Sequence, residues 1–251
     1  MDRCRILCLH GYAQNEQVFR KRSAVLRKDL EKIGVELVYA TAPHTAPPPD
    51  QEADTMTEAE RSLRHGVQKP EEVLRGWWLS NIDKTGQIGY AESIHSLKAI
   101  WAAQGPFDGI LGFSQGAALA PLLVSELAFA SKQSDFAASQ FALPKFMIIV
   151  SGFISVAVKN LADANVPVAD VSGVQDSILD AWPEGKIPIS SMHVIGNGDV
   201  WVVPRESHAL AARFVERSRL IVEHDGGHYI PTSAEMRLKF KEFVQAHIAT
   251  Q

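Results

Sequence analysis

The sequence predicts an α/β fold with a mostly parallel central sheet and helices on both faces. Short apolar runs alternate with stretches of helical periodicity along the chain, and repeated strand–helix units imply parallel pairing through right-handed crossovers. The runs "FDGILGF" and "KFMIIVSGF" are almost continuously apolar, as strands covered on both faces must be. The 251 residues are 46% hydrophobic and 22% charged, enough to enclose one sizeable core. No linker or internal repeat divides the pattern, so a single domain over 1–251 is expected.

"RCRILCLHG" reads as the first strand, and "EQVFRKRSAVLRKDLEKIG" as a helix with Phe19, Leu26, Leu30 and Ile33 on one stripe, ended by Gly34. "VELVYA" is the next strand. A segment from about 41 to 75, with "APPPD" and little periodicity, reads as a lid or pocket loop. "YAESIHSLKAIWAAQG" returns to helix, "FDGILGF" to strand, and Gln115 to Ala130 to helix, with Pro121 expected to kink it or limit its regularity. After "KFMIIVSGF", a second irregular segment at about 156–189 precedes the strand "SMHVIGNGD". A helix over about Arg205–Arg217, the strand "RLIVEHD" and a helix over Ser233–Ala249 follow. The last helix turns Met236, Phe240, Phe243, Val244 and His247/Ile248 toward the core.

A net charge of −4 offers no electrostatic reason for nucleic-acid binding, and the basic stretch Arg20–Lys28 reads as a solvated helix face. Cys4 and Cys8 share the first strand. Their Cα atoms would lie roughly 13 Å apart, past the limit of about 7 Å for a disulfide, so both should be free thiols. Free thiols, no signal peptide and no run long enough to span a bilayer make a cytoplasmic location the expectation.

The chemistry concentrates at "GFSQG", Gly112–Gly116, where strand meets helix. This is the G-x-S-x-G elbow of the α/β-hydrolase fold, which holds a nucleophilic serine on a strained turn and needs small residues on either side. A serine that merely caps the helix would not explain Gly112. Ser114 is therefore the candidate nucleophile. The base should follow a late strand: His228 in "HDGGHYIP" fits, with His224 as a rival held within the strand end. For the acid, Asp199 closes "VIGNGD", leaving room for one helix and one strand before the histidine; Asp225, Asp170 and Asp176 are weaker candidates. The backbone amides of Gln115, after the nucleophile, and Tyr12, in "LHGYAQN", are the candidate oxyanion donors, with His10 bracing that loop. Trp77, Trp78 and Phe153 are candidate walls of an acyl pocket, though a pure core role suits the tryptophans equally. No metal-ligand spacing is present, and none is needed.

The ordered motifs "RILCLHGYAQN", "GWW", "GPFDGILGFSQGAALA", "FMIIVSGF", "HVIGNGD" and "HDGGHYIP", covering about Arg3 to Phe243, resemble the FSH-type serine hydrolases. That group is named from yeast and includes human relatives and fungal thioesterases that serve polyketide synthases. The resemblance implies a cofactor-free enzyme that cleaves carboxylic esters or thioesters with a Ser-Asp-His triad at Ser114, Asp199 and His228. One alternative within the same chemistry is release of a polyketide or fatty acyl chain from a carrier protein, which would then be a partner. Another is a non-catalytic binding protein on the same fold.

Overall fold

The structure, a computed structural model, describes residues 3–46, 73–80, 87–133, 135–154 and 186–248. Six strands form one parallel sheet: β1 (Cys4–Leu9), β2 (Val35–Ala40), β7 (Gly109–Phe113), β8 (Phe146–Val150), β9 (Ser190–Gly196) and β10 (Arg219–His224). Their spatial order is β10-β9-β8-β7-β1-β2, with every neighbouring pair parallel. Order reverses between β1 and β7, and a crevice opens outside the carboxyl ends of strands at such a switch point. The register brings those ends together: Leu9 lies opposite Gly112, Phe113 opposite Val150, and Gly196 opposite His224.

The pleat sorts the apolar side chains by alternation. Leu7, Leu9, Ile110, Met147 and Ile149 pack with α3 (Tyr90–Gln104) and α4 (Gln115–Ser131) on one face, and the short α5 (Asp135–Gln140) follows α4. Ile6, Cys8, Leu111, Phe113, Ile148 and Val150 pack on the other. That second face is covered by α1 (Glu16–Arg22), α2 (Ala24–Glu31) and the C-terminal α7 (Ala234–Ile248). Of the expected core side of α7, Met236, Phe240, Phe243 and Val244 are buried and Ile248 packs at the margin.

Two expected helices differ. The stretch after Asn15 is two helices rather than one. The buried Ser23 hydroxyl donates to the Phe19 carbonyl at 2.8 Å and meets the Tyr39 hydroxyl at 2.7 Å, so it competes for the backbone acceptor of its own turn. Similarly, the helix expected to reach Arg217 stops at Ala211 as α6 (Pro204–Ala211). Beyond it the Ile187 N–H donates to the Arg213 carbonyl at 2.9 Å and the Val215 N–H to the Ile187 carbonyl at 3.0 Å, with Phe214 fully buried between them. Pairing with a distant segment wins over local helix propensity; a short 3₁₀ turn, Glu216–Ser218, follows. Around Pro121, α4 stays helical, with the Ser125 hydroxyl donating to the Pro121 carbonyl.

Most of the segments read as covering the site, 41–75 and 156–189, falls outside the described residues. What is described at their edges includes β3 (His44–Thr45) paired antiparallel with β4 (Arg75–Gly76), and β5 (Leu79–Ser80) paired with β6 (Gln87–Ile88).

Cys4 and Cys8 are free and buried. Burial, with Asp108 adding and Lys145 opposing, pushes the Cys4 thiol up to about 11, and burial, opposed by Arg20, also raises the Cys8 thiol well above its ordinary value. Since the thiolate is the reactive form, Ellman's reagent at pH 8 is expected to leave both thiols unmodified in the native protein and to modify both in 6 M guanidinium. Rapid native labelling would contradict the placement of β1.

Candidate active site

Ser114 sits between β7 and α4 with φ +53° and ψ −116°, a backbone conformation that costs on the order of 1–3 kcal/mol and persists only where the surroundings enforce it. Its N–H donates to the Val150 carbonyl at 2.9 Å and its carbonyl accepts from Ala118 N–H at 3.0 Å. The flanking glycines are required sterically. A Cβ on Gly112 would stand 2.6 Å from Ala117 Cα, and one on Gly116 only 2.2 Å from the Leu9 carbonyl oxygen. Although Ser114 occupies the N-cap position, its side chain caps nothing. The hydroxyl lies 2.9 Å from His228 Nε2 instead.

His228 comes from the loop after β10, and its Nδ1 lies 2.7 Å from Asp199 Oδ2. Because a carboxylate only accepts, Nδ1 carries the proton and Nε2 is left to accept from the serine. The Phe113 ring, 4.9 Å away centroid to centroid, backs the imidazole. Asp199, in the turn after β9, divides its work: Oδ1 accepts from the N–H groups of Trp201 and Val202 at 2.9 and 3.0 Å, and Oδ2 faces His228. Burial alone would raise this carboxyl, but the hydrogen bond to His228, its charge and the two amides outweigh burial and hold it below the usual carboxylate range. Of the rival residues, the described His224 and Asp225 stay out of this line. His224 Nδ1 accepts from Gly226 N–H, His228 pairs with Asp199 and not Asp225, and Asp170 and Asp176 lie outside the described residues.

On the opposite side, Gln115 is the first residue of α4, so its N–H has no intrahelical acceptor. Tyr12 follows the end of β1. There His10 is fully buried: Ala42 N–H donates to its Nε2 at 3.0 Å, which puts the proton on Nδ1, and Nδ1–H donates to the Gly11 carbonyl at 2.7 Å. This fixes the plane of the Gly11–Tyr12 peptide, the group that carries the Tyr12 N–H. Burial pushes the imidazole down to about 4, against the raising effect of the Gly11 carbonyl, so it stays neutral and keeps both bonds.

The three aromatic residues read as pocket walls part company. Trp77 has no exposed surface; its indole N–H donates to the His10 carbonyl at 2.8 Å, so it braces the loop and has no face to offer a cleft. Trp78 stacks on Tyr90 with centroids 4.5 Å apart and meets Phe153 edge-on at 6.1 Å. Joining the two halves is the Gln115 carboxamide, whose Oε1 accepts from Trp77 N–H at 2.8 Å while Nε2 donates to the Trp78 carbonyl at 2.9 Å. Sequence reading assigned Gln115 only its backbone amide and did not mark Tyr90 at all. The available signal was a lone amide side chain opening an otherwise apolar helix.

Among the described residues no group of three or more His, Cys, Asp or Glu could hold a metal ion, and no helix is long and apolar enough to cross a membrane.

The fold recurs in solved structures: Arabidopsis thaliana SOBER1 at TM-score 0.56 and 17% identity, covering 98% of this chain and 100% of that one, and Zea mays acyl-protein thioesterase 2 at TM-score 0.55 and 16% identity, covering 99% and 95%. At those identities the likeness is one of architecture, and the architecture is the α/β-hydrolase fold. Closer in sequence are proteins named Esterase OVCA2, 35% identical in Danio rerio with 96% of each chain covered, and 33% identical in Homo sapiens with 96% of this chain and 95% of that one covered. A family model described as Serine hydrolase (FSH1) matches residues 1–240. A match that spans both the elbow and the late strands, together with relatives that are esterases over their whole length, makes this chain a member of the FSH1 serine hydrolase family and an acyl hydrolase.

Proposed function

We propose that the protein hydrolyses carboxylic esters or thioesters through a triad of Ser114, His228 and Asp199, by way of an acyl-enzyme. The observation that carries this reading is the unbroken hydrogen-bonded line from Ser114 Oγ to His228 at 2.9 Å and from His228 to Asp199 at 2.7 Å, set at the switch point of the sheet. His228 Nε2 takes the hydroxyl proton as Oγ bonds to the substrate carbonyl carbon. The oxygen that becomes negative is met by the amides of Gln115 and Tyr12. The tetrahedral adduct then collapses: the bond to the leaving alcohol or thiol breaks, and the proton on Nε2 goes to that group. Water, deprotonated by the same nitrogen, attacks the acyl-enzyme, and the acid leaves with Ser114 restored. Asp199, held ionised, keeps the imidazole in the required tautomer and stabilises its cation.

A fluorophosphonate probe tests this directly. Wild type is expected to be labelled at Ser114, located by mass spectrometry, and both Ser114→Ala and His228→Ala should lose the label. A folded wild type that takes none would favour the non-catalytic reading.

The reading extends to an acyl pocket walled by Trp78 and Phe153, whose edge-on contact at 6.1 Å is the observation behind it, and to a substrate with a medium or long apolar chain. Burying two further methylenes at about 0.8 kcal/mol each is worth roughly tenfold. The expectation is therefore at least about tenfold higher kcat/KM for p-nitrophenyl octanoate than for the acetate, with the gap narrowed by Phe153→Ala. Equal rates on the two esters would remove the apolar-chain assignment.

A further inference from the structure

Beyond the triad, the loop that delivers its base is held by a second histidine. The N–H of Gly226 donates to His224 Nδ1 at 3.1 Å, which leaves the ring proton on Nε2, and Nε2 is buried with no hydrogen-bond partner among the described residues. A buried donor left unpaired costs roughly 1–3 kcal/mol, so the ring occupies this place at a penalty. Its surroundings show what the ring touches. The His224 carbonyl accepts from Asn197 N–H at 2.8 Å, and the Gly226 carbonyl accepts from Gly198 N–H at 3.0 Å, which ties the base loop to the turn that carries Asp199. A Cβ on Gly196 would come within 3.2 Å of His224 Cε1, and one on Gly226 within 2.9 Å of His224 Nδ1. The ring is thus wedged between the acid turn and the base loop, with Tyr229 covering it at 5.4 Å centroid to centroid.

We propose that His224 is a positioning residue: its Nδ1, as acceptor for Gly226 N–H, sets the loop geometry that brings His228 within reach of both Ser114 and Asp199. The proposal rests on the triad reading. The other backbone ties of residues 224–228 are made by carbonyls, those of His224 and Gly226 to the acid turn and that of Gly227 to Tyr229 N–H at 3.0 Å, so the His224 ring is the partner described for the Gly226 amide. Without the His224 acceptor, the Gly226 amide loses that partner, and the segment between strand end and base is held by its carbonyls alone. A displacement of about 1 Å in a catalytic group can cost on the order of 10²-fold in rate.

Two substitutions separate the acceptor from the ring. His224→Asn places Oδ1 where Nδ1 stands and can still accept from Gly226 N–H; His224→Leu fills space without an acceptor. With the tight-folding check of a thermal unfolding curve on each, His224→Leu is expected to lower kcat by about 30- to 100-fold with KM changed less than about threefold. His224→Asn should recover most of that loss. Equal kcat losses in the two folded variants, or no loss in His224→Leu, would overturn the proposal. His228→Ala run alongside distinguishes the two levels: if it too retains activity the triad reading has failed, whereas an inactive His228→Ala beside a fully active His224→Leu removes only the positioning role.

Discussion

Ser114→Ala is expected to lower kcat/KM toward a p-nitrophenyl ester by about 10⁵-fold or more. The substitution deletes the oxygen that faces His228 Nε2, at 2.9 Å, and leaves the amides of Gln115 and Tyr12 in place. Residual rate over uncatalysed hydrolysis should therefore survive from those donors and from binding, as in other triad enzymes. His228→Ala is expected to fall to a similar level, and the double variant no further, because the two side chains act as one unit and their losses do not add. The fold should be nearly indifferent: alanine has the same Cβ and meets the same strained φ of +53°, so only one partly buried hydrogen bond is lost. Steady-state kinetics with a thermal melt on each variant checks this. An active Ser114→Ala, or additive losses in the double variant, would mean that the elbow serine is not the nucleophile.

The strand ladder is legible in the sequence because it is written locally, and so is the position of the candidate residues Ser114, Asp199 and His228 at strand ends. β2 (Val35–Ala40) and β8 (Phe146–Val150) lie within their apolar runs, and Ser114, Asp199 and His228 each lie just past a strand, where the fold places loops. Bonds between segments far apart in the chain were not legible. The Ile187–Phe214 bridge ended a helix that its own periodicity would have continued, and nothing in the helix forecasts it. Trp77 and Trp78 are chemically identical neighbours. In the bend between β4 and β5 one goes under the His10–Tyr12 loop and the other to Tyr90, and which goes where depends on Gln115 and His10, at sequence distances of 38 and 67 residues. His10 was read as a brace, but its tautomer required the Ala42 amide, which belongs to another loop.

Gly116→Ala should separate the elbow's geometry from general stability. The added Cβ would lie 2.2 Å from the Leu9 carbonyl oxygen, 2.5 Å from its carbon and 2.7 Å from the His10 carbonyl oxygen, all of them backbone atoms that cannot rotate away. Alanine gains up to about 1 kcal/mol of helix propensity over glycine, but overpacking of a rigid contact costs about 1–3 kcal/mol and occasionally more. A clash this close belongs at the upper end, so a net loss of about 2–3 kcal/mol and a Tm lower by roughly 4–12 °C are expected. The backbone that must yield is the end of β1, which leads straight into His10, Gly11 and the Tyr12 amide. Activity measured well below the lowered Tm should consequently fall by about 10²-fold, mostly in kcat, since an oxyanion donor moved by about 1 Å no longer meets the charge it stabilises. Gly34→Ala is the matched control: Gly34 has φ +82° and nothing within 4 Å of an added Cβ, so it carries only the left-handed backbone penalty of about 1–2 kcal/mol. It should lower Tm by a few degrees and leave kcat as it was. Were Gly116→Ala to lose stability yet keep full kcat, the contact between α4 and β1 would be a packing feature alone, and the second glycine of the elbow would have no part in aligning the two oxyanion donors.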